Sequence, residues 1–170
     1  GERLHPMKRP SVLMIDTNIW IDMFDGNRPG HLQSTALITE ATSRGCELAF
    51  AVSSAKDIYY TMTMASKRYS RRAEGELTEE AARLAEHFAW ACVQNMQEIA
   101  TPVAVDASDV WLAGKFRTQL HDFEDALVAA AASRCHADAL VTNDKRFLRH
   151  SPVNAMDAAD ALKFVALSSL

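Results

Sequence analysis

Four consecutive apolar residues, Val12-Leu-Met-Ile15, run directly into Asp16-Thr17-Asn18. An apolar run of strand length without polar alternation reads as a strand buried on both faces, the condition of a parallel sheet covered by helices. Leu48-Ala-Phe-Ala-Val52 reads as a second such strand, and Ala139-Leu-Val-Thr142 as a third, running into Asn143-Asp144. Ligands of open α/β sheets sit beyond the carboxyl ends of the strands. Asp16 and Asp144 are therefore expected on one rim of one sheet.

Helical patterns lie between these strands. Ile19–Phe24 reads as a short helical turn, and His31–Arg44 as a helix stopped by Gly45. Ser53-Ser54 opens a longer helix that ends in the dense basic cluster Lys67-Arg68-Tyr69-Ser70-Arg71-Arg72, before a turn at Gly75. Glu79 and Glu80 start the next helix, where the helix dipole favours acids, with Ala81, Leu84, Ala85, Phe88 and Cys92 as its apolar face. These two helices form an arm-like hairpin with the basic cluster near its tip. A short strand within Ile99–Val105, a helix capped by Ser108, an alanine-rich helix Ala126–His136 apolar nearly all round, an edge strand at Val153 and a last helix Met156–Phe164 complete the chain. Strands alternating with helices give an α/β, three-layer α/β/α domain around a central parallel sheet.

A chain of 170 residues with 48% hydrophobic content suits one domain with a sizeable core. Residues 1–10 read as an N-terminal extension or cloning remnant, with Met7 as a plausible start and Gly1–Pro6 unassigned, and residues 11–170 as the domain. No apolar run reaches the roughly 18 residues of a membrane span, and the stretch after Met7 is too short for a signal peptide. Cys46, Cys92 and Cys135 are scattered and odd in number, which points to reduced thiols in the cytoplasm. The histidines lack zinc-site spacing. A net charge of −4 argues against a surface that is wholly a nucleic-acid platform, but leaves room for a basic patch beside an acidic pocket.

Four acids stand at strand ends or helix starts: Asp16, Asp57, Asp125 and Asp144. Hard divalent cations such as Mg²⁺ take carboxylate oxygens, and carboxylates converging without a cation repel one another and raise their own pKa values. Each position also has a purely structural reading. Ser54-x-x-Asp57 and Asp122-x-x-Asp125 resemble capping boxes, Asp16 or Thr17 can cap the next helix, and Asp144 suits a turn. Asp22, Asp106, Asp109 and Asp138 read as surface or capping acids, while Asp122 and Glu124 are open either way. Trp20, Tyr59, Tyr60, Trp90 and Trp111 read as core or interface aromatics.

Val-Leu-Met-Ile-Asp16-Thr-Asn-Ile-Trp-Ile-Asp, Val-Ser-Ser-Ala-Lys-Asp57-Ile-Tyr-Tyr, Asp-Phe-Glu-Asp125-Ala-Leu-Val-Ala-Ala-Ala-Ala and Ala-Leu-Val-Thr-Asn-Asp144-Lys-Arg-Phe occur in that order. Together they resemble the PIN-domain family, close to the VapC-type ribonuclease toxins, from about Ser11 to Leu167. The resemblance implies a Mg²⁺- or Mn²⁺-dependent endoribonuclease with Asp16, Asp57, Asp125 and Asp144 as catalytic and metal-binding acids. The second acid is usually Glu in the family, so the shorter Asp57 is expected to bind through water. Thr17, Asn18 and Thr142 match supporting polar positions, Ser54 would orient Asp57, and Asp122 would be an outer ligand. In-line attack of water on an RNA phosphate would leave a 5′-phosphate and a 3′-hydroxyl. Lys67, Arg68, Arg71 and Arg72 are candidates to hold RNA phosphates beside the pocket, against the plain reading of a solvated helix end.

The implied partners are RNA, a second copy of the chain and a cognate antitoxin, with no membrane, in the cytoplasm. A catalytically silent PIN-fold binding module acting through a protein partner is the alternative, favoured by the Asp57 departure. A receiver-like or haloacid-hydrolase-like phosphoryl-transfer domain fits less well, because Asn18 stands where the latter resembles Asp-x-Asp and no lysine motif completes either pattern.

Overall fold

A computed structural model describes residues 11–168, so the reading of residues 1–10 lies outside the described residues. Among the described residues the sheet holds five parallel strands, β1 (Val12–Ile15), β2 (Glu47–Ala51), β3 (Thr101–Val103), β4 (Ala139–Val141) and β5 (Ala155–Met156), in the order β3-β2-β1-β4-β5. The chain builds outward from β1 to β3, then returns to the other side of β1 for β4. The strand order thus reverses between β1 and β4, and a crevice opens beyond the ends of those two strands.

Successive side chains of β1 point to opposite faces, and both faces are covered. Leu13 and Ile15 pack with Leu48, Phe50 and Val141 under one helical layer, while Val12 and Met14 pack with Ala49, Ala51 and Leu140 under the other. This accounts for the unbroken apolar run: either face of the strand would expose a polar residue only to apolar neighbours.

The first layer contains α1 (Thr17–Phe24), α2 (His31–Ser43), α3 (Val52–Glu74), α4 (Glu79–Ile99) and α8 (Ala158–Leu167). The second contains α5 (Ala107–Phe116) and α6 (Phe123–Arg134), with Phe147 of α7 (Lys145–His150) buried in the same cluster. All seven residues from Ala126 to Ala132 are buried. Small side chains let α6 approach both the sheet and its neighbouring helices closely.

The helical hairpin is present as α3 and α4, joined around Gly75, whose φ of 82° is the left-handed conformation that glycine adopts without strain. Its packing differs from expectation. The buried stripe of α4 is Ala85, Ala89, Cys92 and Met96, whereas Leu84 and Phe88 are exposed. Two alanines in the seam bring the helices together and leave the larger side chains on the flank. Tyr60, Trp90 and Trp111 are also exposed, whereas Trp20 is fully buried.

Several boundaries shift for local reasons. β2 ends at Ala51, which caps α3, so the helix starts at Val52 and no Ser54–Asp57 capping box forms. The edge strand is Ala155–Met156 rather than Val153, which packs against the second core cluster. The helix assigned to a Ser108 cap is instead capped by Asp106, in a capping box with Asp109. Asp109 is fully buried and bonds Arg134 at 2.5 Å, tying α5 to α6. Asp22, read as a surface or capping acid, is likewise buried and paired with Arg28 at 2.6 Å.

Removing one partner of such a pair strands the other charge. Arg134→Ala will therefore lower stability by about 3 kcal/mol in urea unfolding, and Arg134→Ala with Asp109→Asn will recover part of that loss.

Candidate active site

β1 delivers Asp16 to the crevice, and a main-chain bond from its N–H to Val141 O at 2.9 Å locks the ends of β1 and β4 together. Asp16 caps α1: its Oδ1 accepts the Thr17 N–H at 2.8 Å. Its Oδ2 accepts from the Thr142 hydroxyl at 2.8 Å and from Asn18 Nδ2 at 3.0 Å, and Asn18 Nδ2 also reaches Thr142 Oγ1 at 3.0 Å. Both supporting side chains thus hold one carboxylate oxygen in a fixed direction. Thr17 acts through its backbone, and its buried Oγ1 has no partner among the described residues. Burial pushes the Asp16 carboxyl above its ordinary range, against the three hydrogen bonds and together with repulsion from Asp144.

Asp144 arrives on the turn after β4. Its N–H donates to Thr142 Oγ1 at 3.2 Å, and its Oδ1 caps α7 by accepting from the N–H groups of Arg146 at 2.8 Å and Phe147 at 3.0 Å. Asn143 braces this turn from three sides: its N–H donates to Asn18 Oδ1 at 3.1 Å, its Oδ1 accepts the Ala158 N–H at 3.1 Å, and its Nδ2 points to Asp22 Oδ2 at 3.4 Å. That role of Asn143 was not legible in the sequence, because its partners come from α1 and α8.

Asp125 lies in the first turn of α6, below Asp122, whose Oδ1 accepts the Asp125 N–H at 3.0 Å. The capping reading of Asp122 is thus correct, and it leaves the Asp125 side chain facing the crevice. Burial, then repulsion from Asp16, Asp122 and Asp144, raise the Asp125 carboxyl to about 7, with Arg146 acting the other way. A cleft of about 300 Å³ is lined by Asp122, Asp125, Asp144, His121 and Arg146.

Asp57 stands one turn into α3. Its partner is Glu124 rather than Ser54. A hydrogen bond with Glu124 lowers the Asp57 carboxyl, and Lys56 Nζ, 3.3 Å from Oδ1, acts in the same direction. Glu124 keeps the shared proton: burial, then the hydrogen bond and the charges of Asp57, Asp16 and Asp122, raise it to about 8. Ser54 is fully buried, and its Oγ has no partner among the described residues. The sequence offered only adjacency to Asp125 as a hint for Glu124.

Lys67, Arg68, Arg71 and Arg72 do not border this crevice. At about 1.5 Å per residue, Lys67 lies about 15 Å and Arg72 about 22 Å along α3 from Asp57. Arg71 and Arg72 occupy the last turn, where positive charge offsets the helix dipole. The cations at the rim are Lys56 and Arg146 instead.

The donor set is made of carboxylate oxygens backed by hydroxyl and amide groups, without sulfur or imidazole in its centre. Such hard donors fit Mg²⁺ or Mn²⁺. Among the described residues no three acidic, histidine or cysteine side chains are gathered closely enough to hold an ion together. The acids sense one another's charge across the crevice without sharing a point.

The PIN-domain family profile matches residues 12–146, a stretch that carries all four of these acids. The chain belongs to the PIN-domain family. Its PIN fold is also similar to that of chains in two solved assemblies. One is VapBC2 from Rickettsia felis bound to a DNA fragment from its promoter, with 15% identity, a TM-score of 0.59, and 86% of this chain and 98% of the other covered. The second is VapBC-1 from nontypeable Haemophilus influenzae, with 18% identity, a TM-score of 0.59, and coverage of 87% and 98%. No curated protein matches the chain. At these identities the likeness concerns the fold, and within this PIN domain the strand-order reversal brings Asp16 and the turn bearing Asp144 to one end of the sheet. Among the described residues no helix is long and apolar enough to cross a membrane.

Proposed function

We propose that the chain is a divalent-metal-dependent endoribonuclease that hydrolyses RNA phosphodiesters, and that it serves as the toxin of a toxin–antitoxin pair. The observation that carries the nuclease reading is the approach of Asp16, Asp125 and Asp144 to the β1/β4 crevice of a PIN domain, where burial, and then repulsion from the neighbouring acids, raise Asp125 to about 7. Three carboxylates close enough to raise one another's proton affinity across one crevice are an arrangement that a cation would relieve.

Asp16, Asp125 and Asp144 would hold Mg²⁺ or Mn²⁺, with Asp57 reaching it through water. When bound, the ion supplies an activated water and neutralises charge on the phosphate. Thr142 and Asn18 fix the direction of Asp16 Oδ2. Asp122 sets the height of Asp125 through its backbone, and Asn143 holds the turn bearing Asp144. Glu124, with its proton shared toward Asp57, is placed to pass a proton at the Asp57 side of the site. Lys56 and Arg146 offer the nearest positive charge to RNA phosphates, and the basic end of α3 would meet a longer RNA farther along its path.

The toxin role rests on the likeness to VapBC chains. It brings with it an antitoxin protein as partner, a homodimer as the assembled form and the cytoplasm as location. A catalytically silent PIN module would need no cation in the crevice.

Asp16→Asn separates these readings. It preserves volume and removes the central charge. Cleavage of a mixed RNA pool in Mn²⁺ is expected to fall at least a hundredfold with the variant, and to vanish for the wild type in EDTA. Cutting that survives both treatments would show that the crevice is not the active centre.

A further inference from the structure

We infer that Phe123 is a stacking platform for one base of a single-stranded RNA, beside the phosphate addressed by the carboxylates; this rests on the nuclease reading above. Phe123 is the first residue of α6 and is 62% exposed, between two acids of the site. It borders a second cleft, of about 490 Å³, between the starts of α3 and α6. Phe123 and Leu127 lie one turn apart on one wall, and Val52 and Lys56 one turn apart on the other. Asp57 and Glu124 also line this cleft, and Asp122 lines both it and the cleft that holds Asp125 and Asp144, so the two adjoin.

The chemistry of the cleft selects its occupant. Exposed Phe123 and Val52 give both walls of the cleft an apolar surface that a sugar or a phosphate would not favour, while the acidic neighbours would repel any anion resting there. A nucleobase is flat, uncharged and able to stack on an aromatic ring. Its own phosphate would then lie toward the carboxylates and their cation, and a neighbouring phosphate within reach of Lys56, whose side chain is 70% exposed. A base can lie on Phe123 only when it has left a helical stack, so the substrate class is single-stranded or looped RNA rather than duplex. Stacking tolerates every base, so Phe123 contributes affinity and cleavage register, not base identity.

The test uses the full chain and a labelled single-stranded RNA of about a dozen nucleotides. Binding is measured by anisotropy in the non-cleaving Asp125→Asn background with Mg²⁺ present, and cleavage in the otherwise wild-type background. Phe123→Ala is expected to weaken binding about five- to a hundredfold and to raise KM by a similar factor with kcat little changed, while Phe123→Trp retains both. One abasic nucleotide beside the scissile phosphate should reproduce the loss, and should add nothing further to Phe123→Ala.

Thermal melts of the exposed-site variants report folding independently. Metal-dependent cutting with a KM unmoved by Phe123→Ala overturns the platform and leaves the nuclease standing. Phe123-dependent RNA binding with no cutting by the wild type keeps the platform and overturns the nuclease. An RNA that neither binds nor is cut overturns both.

Discussion

Asp125→Asn will raise the melting temperature of the metal-free protein at pH 8 by about 3 °C while lowering RNA cleavage by about two to three orders of magnitude. Few substitutions are expected to stabilise a protein and disable it together, and the opposed signs have one cause. The Asp125 carboxyl is raised to about 7 because burial and the charges of Asp16, Asp122 and Asp144 disfavour its ionised form. At pH 8 it is nevertheless ionised, and the fold bears that repulsion. Asparagine has the same shape, keeps the backbone bond to Asp122 and carries no charge. The gain is held to a few degrees because the group is half-buried and solvent screens part of the repulsion. At pH 5 the folded-state aspartate is protonated, so the difference between variant and wild type should narrow, closing fully only below about 3.9, where the unfolded chain is protonated as well. Differential scanning fluorimetry at the two pH values, beside a cleavage assay, checks all three parts. A lower melting temperature at pH 8 would mean that Asp125 supports the fold rather than straining it.

Without metal, stability will decline as pH rises from 5 to 9, and saturating Mn²⁺ or Mg²⁺ will remove most of that decline. The folded-state values of about 7 for Asp125 and about 8 for Glu124 lie well above the ordinary values of about 3.9 and 4.3 expected when unfolded. Between those limits the folded state binds more protons than the unfolded state. Stability is then fully present below the unfolded values and is lost as pH climbs through the folded ones. Asp16 is shifted in the same direction, while Asp57, lowered by its bond with Glu124, acts in the opposite sense and only in acid. A cation bound to the folded form alone adds about 2.7 kcal/mol at a hundred times its Kd. Protons and metal compete for the same oxygens, so this gain should be larger at pH 8 than at pH 5.5. Melting curves across pH in EDTA and in Mn²⁺ measure both trends. A melting temperature indifferent to the ion at pH 8 would remove the metal site from the proposal.

The sheet was readable because its strands announce themselves locally. Val12–Ile15 and Ala139–Val141 are apolar without alternation, which is stable only between two covering layers, and the acids that follow each run mark the rim. The buried α6 was readable on the same terms, since seven apolar residues in succession leave no face for water. The hairpin arm was visible from its terminal Gly75 and from the Thr78-Glu79-Glu80 start of α4, whose Thr78 Oγ1 accepts the Ala81 N–H at 3.1 Å.

Readings failed where a residue answers to partners far along the chain. Leu84 and Phe88 have the period of a buried face, yet the close approach of α3 to α4 favours Ala85 and Ala89 in the seam. Ser54 has the spacing of a capping residue, yet Ala51 already starts the helix. The basic cluster follows Asp57 by ten to fifteen residues on one helix of 23 residues, a separation along the axis that spacing in the sequence does not display. Buried pairing of Asp22 with Arg28 and of Asp109 with Arg134 was equally invisible, since spacing carries no measure of burial.

Residue order alone carried the fold class and the rim on which Asp16 and Asp144 stand, because burial on both faces of a strand and the capping of a helix start are properties of neighbouring residues. Distance between carboxylates is not such a property. The pairing of Asp57 with Glu124, the triple support of Asn143 and the cleft beside Phe123 exist only once α3, α6 and β4 are brought to the same end of the sheet, where charge and shape act through space rather than along the chain.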